Sequence, residues 1–319
     1  MSARLALVAT GGTIACTLDE HGRAVKTLGA ADLLARAPQP PGEVTAVDHG
    51  LLSSWDLTPP VMLEVARLVE RVAEGRDGVV VTQGTDTLEE TAALLSFAVR
   101  SLVPVVVTGA MRPSDSPGAD GPANLGAALA VAADPGARDR GALVAFGDEV
   151  HLGTRVSKQH SAAPVPFGSP GTGPVGLVDD GRVTWLAPPS APTRYAVAHA
   201  DADVPVLTAF PGAPVRLVEA ALDGADGLVV AGMGLGHLPS SWLPVLGDAV
   251  ARGVPVVRAT RTGAGPSAGR YAGPGGDTDA EERGLLTAGW RTPWAARIEL
   301  VCALGAGADP AEVFARPLP

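Results

Sequence analysis

Aromatic residues are scarce in this chain: five Trp, five Phe and two Tyr make up 4% of 319 residues. A core of stacked rings is excluded, and packing must rest on Val, Leu and Ala. Cysteine is scarcer still, with only Cys16 and Cys302. Two thiols supply neither a metal cluster nor a disulfide framework, and they read as small core residues. Basic residues are outnumbered, 24 Lys plus Arg against 34 Asp plus Glu, for a net charge of −10. That balance weighs against nucleic acid or an anionic membrane as the main partner. Long apolar runs are missing too. No segment reaches the roughly 18 apolar residues of a membrane-spanning helix. The apolar run near the N-terminus, residues 5–9, is short for a signal-peptide core and reads as a first buried strand. The expectation is a cytoplasmic protein.

Familiar motifs are absent as well. There is no Walker phosphate loop and no Gly-x-Ser-x-Gly elbow, and the histidines lack metal-ligand spacing. Gly232-Met-Gly-Leu-Gly236 follows a strand-like run and superficially resembles a dinucleotide loop. It lacks the third spaced glycine and an acidic partner about 20 residues on.

What is present is ample core material, with 46% apolar and 18% charged residues and a mean hydropathy of +0.22. Disorder is argued against, and the length suits one large domain or two ordinary ones. Forty Gly and 29 Pro fit many tight strand–loop–helix junctions. Strand-like runs at 5–9, 43–48, 78–82, 104–108 and 141–146 alternate with helical segments at 60–74, 86–100 and 121–133. On the first helix Met62, Val65, Leu68, Val69 and Val72 share one side. Such alternation predicts a parallel sheet covered by helices on both faces. Asp179-Asp180-Gly181 between two short apolar runs predicts a hairpin. Residues 187–203, rich in Pro, Ala and Ser, read as a linker between domains at 1–186 and 204–319. The second domain repeats the α/β style, with strands at 204–208, 227–231 and 254–258 and helices at 213–222, 240–251 and 293–304.

In a parallel α/β sheet, ligands sit beyond the carboxyl ends of the strands. The first strand releases Thr10-Gly-Gly-Thr13 and the second Ser53-Ser54-Trp55-Asp56. The next two release Thr82-Gln-Gly-Thr-Asp-Thr87 and Thr108-Gly-Ala-Met-Arg-Pro113. Ser, Thr and Asp are also preferred helix caps, so any single hydroxyl is equally a cap. Four such clusters on one edge point instead to a shared pocket, where glycine lets backbone N–H groups approach a ligand. The chemistry implied is nucleophilic. A threonine hydroxyl needs an adjacent base or cation, and Asp86 and Lys158 are the candidates.

Thr10-Gly-Gly-Thr-Ile-Ala15 and Thr82-Gln-Gly-Thr-Asp-Thr-Leu-Glu-Glu-Thr-Ala92 together resemble the two signatures of bacterial L-asparaginases. Val107-Thr-Gly-Ala-Met-Arg-Pro113, Asp120-Gly-Pro-Ala-Asn124, Gly153-Thr-Arg-Val-Ser-Lys158, Val257-Arg-Ala-Thr-Arg261 and Gly284-Leu-Leu-Thr-Ala-Gly289 resemble later family blocks in order. The resemblance implies two α/β domains, a larger flavodoxin-like N-terminal one and a smaller C-terminal one. It implies cofactor-free, metal-free hydrolysis of L-asparagine to L-aspartate and ammonia by a homodimer or homotetramer. Thr13 matches the primary nucleophile, near the Gly12 backbone. Thr85, Asp86 and Lys158 match a second triad. Ser54 and Asp86 match residues that hold the substrate's α-carboxylate and α-amino groups, and Trp55 falls where many members carry Gln. Gly84 lies within the second signature, and Ala110 matches a position whose carbonyl holds the amide nitrogen.

Three departures stand out. The family's loop tyrosine belongs near Arg23 or Ala24, yet the only tyrosines are Tyr195 and Tyr271. Gln83 replaces the usual His. Asp277 is the match for an acid that a neighbouring subunit lends, one carbon shorter than the usual Glu, and His237 stands where some members place Asn. Related chains act as glutaminases or as the amide-hydrolysing subunit of a tRNA amidotransferase. The latter carries an extra N-terminal region, which the first strand at Leu5 argues against. With the tyrosine missing, a weak amino-acid-binding pseudoenzyme is the remaining alternative.

Overall fold

The structure, a computed structural model, describes residues 2–190 and 193–318. The chain divides into two compact units, Met1–Arg194 and Tyr195–Pro319.

The first unit opens with β1 (Ala3–Gly11), then β2 (Cys16–Leu18), β3 (Ala24–Lys26), α1 (Ala30–Arg36), β4 (Gly42–Leu52), α2 (Pro59–Ala73) and β5 (Gly78–Thr82). It continues through α3 (Leu88–Ala98), β6 (Val105–Thr108), α4 (Gly121–Ala133), β7 (Ala142–Phe146) and β8 (Glu149–Leu152). It ends with β9 (Ser157–Lys158), β10 (Phe167–Gly168), β11 (Gly176–Asp179) and β12 (Arg182–Trp185). The main sheet runs β12-β11-β8-β7-β6-β5-β1-β4. From β4 to β7 every pairing is parallel. Counted in chain order, the five parallel strands stand 2-1-3-4-5, the flavodoxin-type doubly wound arrangement, with its switch point between the first and third.

Sequence explains why these strands are central. β5 and β6 are runs of valine, buried at every position, and β-branched residues suit a sheet covered on both faces. Leu5, Leu7, Val80, Val106 and Leu143 pack on one face with Leu33 of α1 and Leu125 and Leu129 of α4. Their alternate neighbours point the other way, where α2 and α3 contact each other and the sheet. Helix α2 starts with Pro59 at its first position, where a missing N–H is harmless.

The sheet departs from the expected all-parallel arrangement beyond β7. Strands β8, β11 and β12 are antiparallel. The cause lies in two tight turns. Gly147 and Asp148, at φ +58° and +66°, reverse the chain between Phe146 and Glu149. Asp180 and Gly181, at φ +47° and +73°, do the same between Asp179 and Arg182. Two consecutive positive φ values make the turn whose twist matches antiparallel strands. The second of these hairpins was expected and the first was not. The short β2–β3 and β9–β10 pairs were also unforeseen.

The stretch 187–203 has no helix or strand among its described residues, and residues 191–192 lie outside them. It is packed at both ends all the same. Arg140 donates to the carbonyls of Ala187 and Pro188, while Tyr195 and Ala200 are buried.

The second unit holds β13 (Val206–Thr208), α5 (Arg216–Leu222), β14 (Leu228–Gly232), α6 (Leu243–Ala251), β15 (Val256–Thr260), α7 (Asp277–Glu282), β16 (Leu286–Thr287), α8 (Pro293–Gly305) and α9 (Pro310–Ala315). Its four strands are parallel and lie in chain order. The Gly232-Met-Gly-Leu-Gly236 turn closes on itself. Met233 and His237 exchange backbone hydrogen bonds, and a methyl group at Gly232 would lie 2.4 Å from Gly236. The glycines serve that tight reversal.

One buried ion pair organises this unit. Arg291 and Glu299 meet at 2.5 Å with their side chains 3% and 1% exposed, and Tyr195 donates to the same carboxylate at 2.9 Å. Breaking a buried pair from one side strands the other charge. Glu299→Leu is expected to lower the unfolding free energy of the chain by about 3 kcal/mol in urea titration. The double variant Glu299→Leu/Arg291→Met loses less than the single one. A single variant within about 1 kcal/mol of wild type would show that the pair does not organise the unit.

Candidate active site

The site is built at the switch point of the first unit. β1 ends at Gly11 and Gly12 follows it, at φ +103° and +85°, a backbone region that favours glycine. A methyl group at Gly12 would lie 2.2 Å from the Gly84 nitrogen, and one at Gly84 would lie 2.5 Å from Ser54 Oγ. Only bare backbone permits this approach. It draws the ends of β1, β4 and β5 into mutual contact. Thr13 follows at once, opening a 3-10 turn that closes through Ala15 N to Gly12 O at 3.0 Å.

Beside that contact lies a charged cluster. Lys158 Nζ donates to Thr85 Oγ1 at 2.9 Å and to Asp86 Oδ1 at 2.8 Å. Its side chain is only 15% exposed, against 52% for Asp86. An ammonium group has donors and no acceptor, so Thr85 Oγ1 receives this bond and its own proton points elsewhere. Ser54 Oγ donates to Asp86 Oδ2 at 3.3 Å. The capping alternative fails at the next hydroxyl. Thr87 begins α3 without a side-chain cap bond, and its Oγ1 donates instead to Ser54 O at 2.8 Å. Lys158 is held by β9, whose backbone N–H donates to Glu89 Oε2 at 3.2 Å. Burial, with the Glu90 charge second, pushes the Glu89 carboxyl up to about 7 against the hydrogen bonds from Ser157 and Lys158.

Gly12, Thr13, Ser54, Trp55, Gly84, Thr85, Asp86 and Lys158 line one cavity of about 610 Å³. Eight expected site residues are thus brought together. Ala110 is fully buried, and at that strand end the lining side chain is Met111. In the second unit, Asp277 is wholly enclosed. Its oxygens accept from the backbone N–H groups of Arg270 and Tyr271, and His237 Nε2 lies 3.6 Å from Oδ1. In this chain the carboxylate is occupied by its own loop. Ser53, from the expected strand-end cluster, also lines the cavity, and so does Lys26, which sequence reasoning missed. Lys26 lies opposite Cys16 in the β2–β3 pair, and strands of three residues each leave no periodic pattern to read.

Comparison with known proteins shows the family. The asparaginase N-terminal family matches residues 4–191, and the glutaminase/asparaginase C-terminal domain matches residues 203–315. A probable L-asparaginase of Deinococcus radiodurans is 37% identical over 96% of this chain and 94% of its own length. L-asparaginase 2 of Escherichia coli is 32% identical over 97% and 91%. The crystal structure of a probable cytoplasmic L-asparaginase from Campylobacter jejuni superposes with a TM-score of 0.88 at 32% identity, covering 99% of this chain and all of that one. The chain belongs to the bacterial L-asparaginase family, hydrolases that act on amides. Among the described residues, no helix is long and apolar enough to cross a membrane.

Glu89 yields a pH test. Its folded value of about 7 lies above the ordinary 4.5, so the folded state holds an extra proton between these values. Its contribution to stability is complete below pH 4.5 and is lost as pH rises through 7. Against Glu89→Gln, the wild type is expected to lose about 2 kcal/mol of relative stability over that window. Urea unfolding at successive pH values measures it, and a pH-independent difference between the two proteins rejects it.

Proposed function

We propose that this chain hydrolyses the side-chain amide of L-asparagine by double displacement, with Thr13 as nucleophile. The observation that carries the proposal is the Lys158–Thr85–Asp86 cluster, bonded at 2.9 and 2.8 Å, on the cavity that Thr13 lines. Thr13 Oγ1 bonds to the amide carbon, and its proton travels to the departing nitrogen, which leaves as ammonia. The backbone of the Gly12 and Thr85 segments stabilises the oxyanion, an effect worth about 3 kcal/mol per donor. Water then bonds to the acyl carbon, the ester C–O bond breaks, and a proton returns to Thr13. Aspartate is released.

Thr85, its lone pair held by Lys158, directs its proton towards the cavity and orients substrate or water. Ser54 and Asp86 take the α-carboxylate and α-amino groups. Trp55 walls the substrate's outer side, and the Ala110 segment flanks the amide. Asp277 and His237 shape a loop that serves a neighbouring copy within a homodimer or homotetramer. The chemistry is acyl transfer and calls on side chains and water, with no cofactor. Asparagine as substrate and the cytoplasm as compartment follow the names of the relatives.

Thr13→Ala is expected to lower ammonia release from asparagine by at least about 1,000-fold, with the fold intact by circular dichroism. Lys158→Met falls by about 100-fold or more. Parallel assays on glutamine separate the two amides, since one methylene is worth roughly 1–3 kcal/mol of discrimination. Wild-type ammonia release from Thr13→Ala would remove Thr13 as the nucleophile.

A further inference from the structure

The entire chain contains two lysines, Lys26 and Lys158. The other 22 basic residues are arginine. Both lysines line the one cavity. A protein that uses arginine everywhere else places its only compact, strongly hydrated ammonium groups here. Lys158 has its explanation in Thr85 and Asp86. Lys26 needs its own.

Lys26 ends β3, opposite Cys16, three residues beyond Thr13. Its Nζ donates to Ser53 Oγ and, at 3.3 Å, to Leu51 O. The ammonium also lies 5.5 Å from the ring centre of Trp55, within cation–π range. All these partners are neutral. Among the described residues, no carboxylate stands within ion-pair distance of Nζ. The charged groups lining the cavity are Lys26, Lys158 and Asp86. Asp86 pairs with Lys158 at 2.8 Å, so the cavity retains one uncompensated positive charge, in a chain of net charge −10. Two neutral acceptors occupy two of the three ammonium donors, which leaves one for a ligand. Ser53 adjoins Ser54, whose hydroxyl reaches Asp86. The cation and the half-exposed Asp86 carboxylate therefore contact two adjacent serines, Ser53 and Ser54. This charge pattern complements a zwitterion.

We infer that Lys26 binds the substrate's α-carboxylate and sets the preference for free α-amino acids over neutral amides. The inference rests on the amidohydrolase function and deepens it. A charge-assisted bond fixes the carboxylate end, while Trp55, 70% exposed, shields the ammonium from water on one side.

The test compares wild type, Lys26→Met and Lys26→Arg. Ammonia release is measured on L-asparagine and on L-asparaginamide, which keeps the side-chain amide and amino group but replaces the carboxylate with a neutral carboxamide. Calorimetry measures L-aspartate binding to each protein. The expected result for Lys26→Met is aspartate binding at least about tenfold weaker. The asparagine-to-asparaginamide ratio of kcat/KM falls by a similar factor. Lys26→Arg keeps that ratio within about threefold of wild type, whatever its absolute rates. Equal losses of kcat/KM on both substrates would overturn the inference, because a clamp on the hairpin or an aid to Thr13 acts on both alike. Unchanged aspartate affinity in Lys26→Met would overturn it too. If wild type releases no ammonia yet binds aspartate in a Lys26-dependent manner, amide hydrolysis fails and carboxylate binding by Lys26 stands.

Discussion

The contact between Gly12 and Gly84, which brings two strand ends together at one cavity, is the constraint on which this site depends. A single methyl group at Gly12 would lie 2.2 Å from the neighbouring nitrogen, so no side chain fits without separating β1 from β5. The strand order makes the contact possible. The chain turns back on itself between the first and third parallel strands, and such a reversal leaves a crevice beyond the strand ends. Most of the site's polar groups hang close to those ends: Thr13 two residues after β1, Ser54 two after β4, and Thr85 and Asp86 three and four after β5, while Lys158 comes from β9. Short connections from a fully buried sheet hold reacting groups in place better than long loops do.

The electrostatics follow a similar economy. The chain is acidic overall, and arginine supplies nearly all of its positive charge. Arginine's planar fork suits structural pairs, as in the buried Arg291–Glu299 contact and the Arg258–Glu281 contact. Lysine's single ammonium point suits a different task. Nζ of Lys158 reaches a hydroxyl and a carboxylate at once, and that of Lys26 reaches a hydroxyl and a carbonyl. A guanidinium in either place would project a wider group into a cavity sized for a small substrate.

Much of this was legible in the sequence, and the reasons are physical. β5 and α4 fall where apolar runs and periodicity place them, because buried parallel strands are continuous runs of valine. The hydroxyl–glycine clusters at successive strand ends located the cavity without any structure. What escaped notice was short or ambiguous. Gly147-Asp148 turns the sheet antiparallel, yet a Gly-Asp pair after an apolar strand reads equally as the start of a βα loop. The β2–β3 pair is too short for an alternation to register, so nothing in the sequence marked Lys26. Burial of Asp277 was invisible for another reason. Its partners are backbone N–H groups of Arg270 and Tyr271, and no residue pattern announces those.

The two threonines are not equivalent, and the difference follows from their surroundings. Thr85 has its oxygen engaged by the Lys158 ammonium, which withdraws electron density from the hydroxyl and fixes the direction of its proton. Such a group is better placed to donate a hydrogen bond than to attack. Thr13 stands on a short turn of three residues opened by two positive-φ glycines, where no neighbouring side chain among the described residues fixes its hydroxyl as Lys158 fixes that of Thr85. An acyl-transfer site needs both kinds of group: one fixed, to hold a carbonyl or water in line, and one able to follow the carbon as it becomes tetrahedral. The rigid partner is anchored through Lys158 to β9 and through Asp86 to Ser54. Thr13, the proposed nucleophile, has no such anchor, and the proposed division of labour between the two hydroxyls follows from which of them the lysine holds.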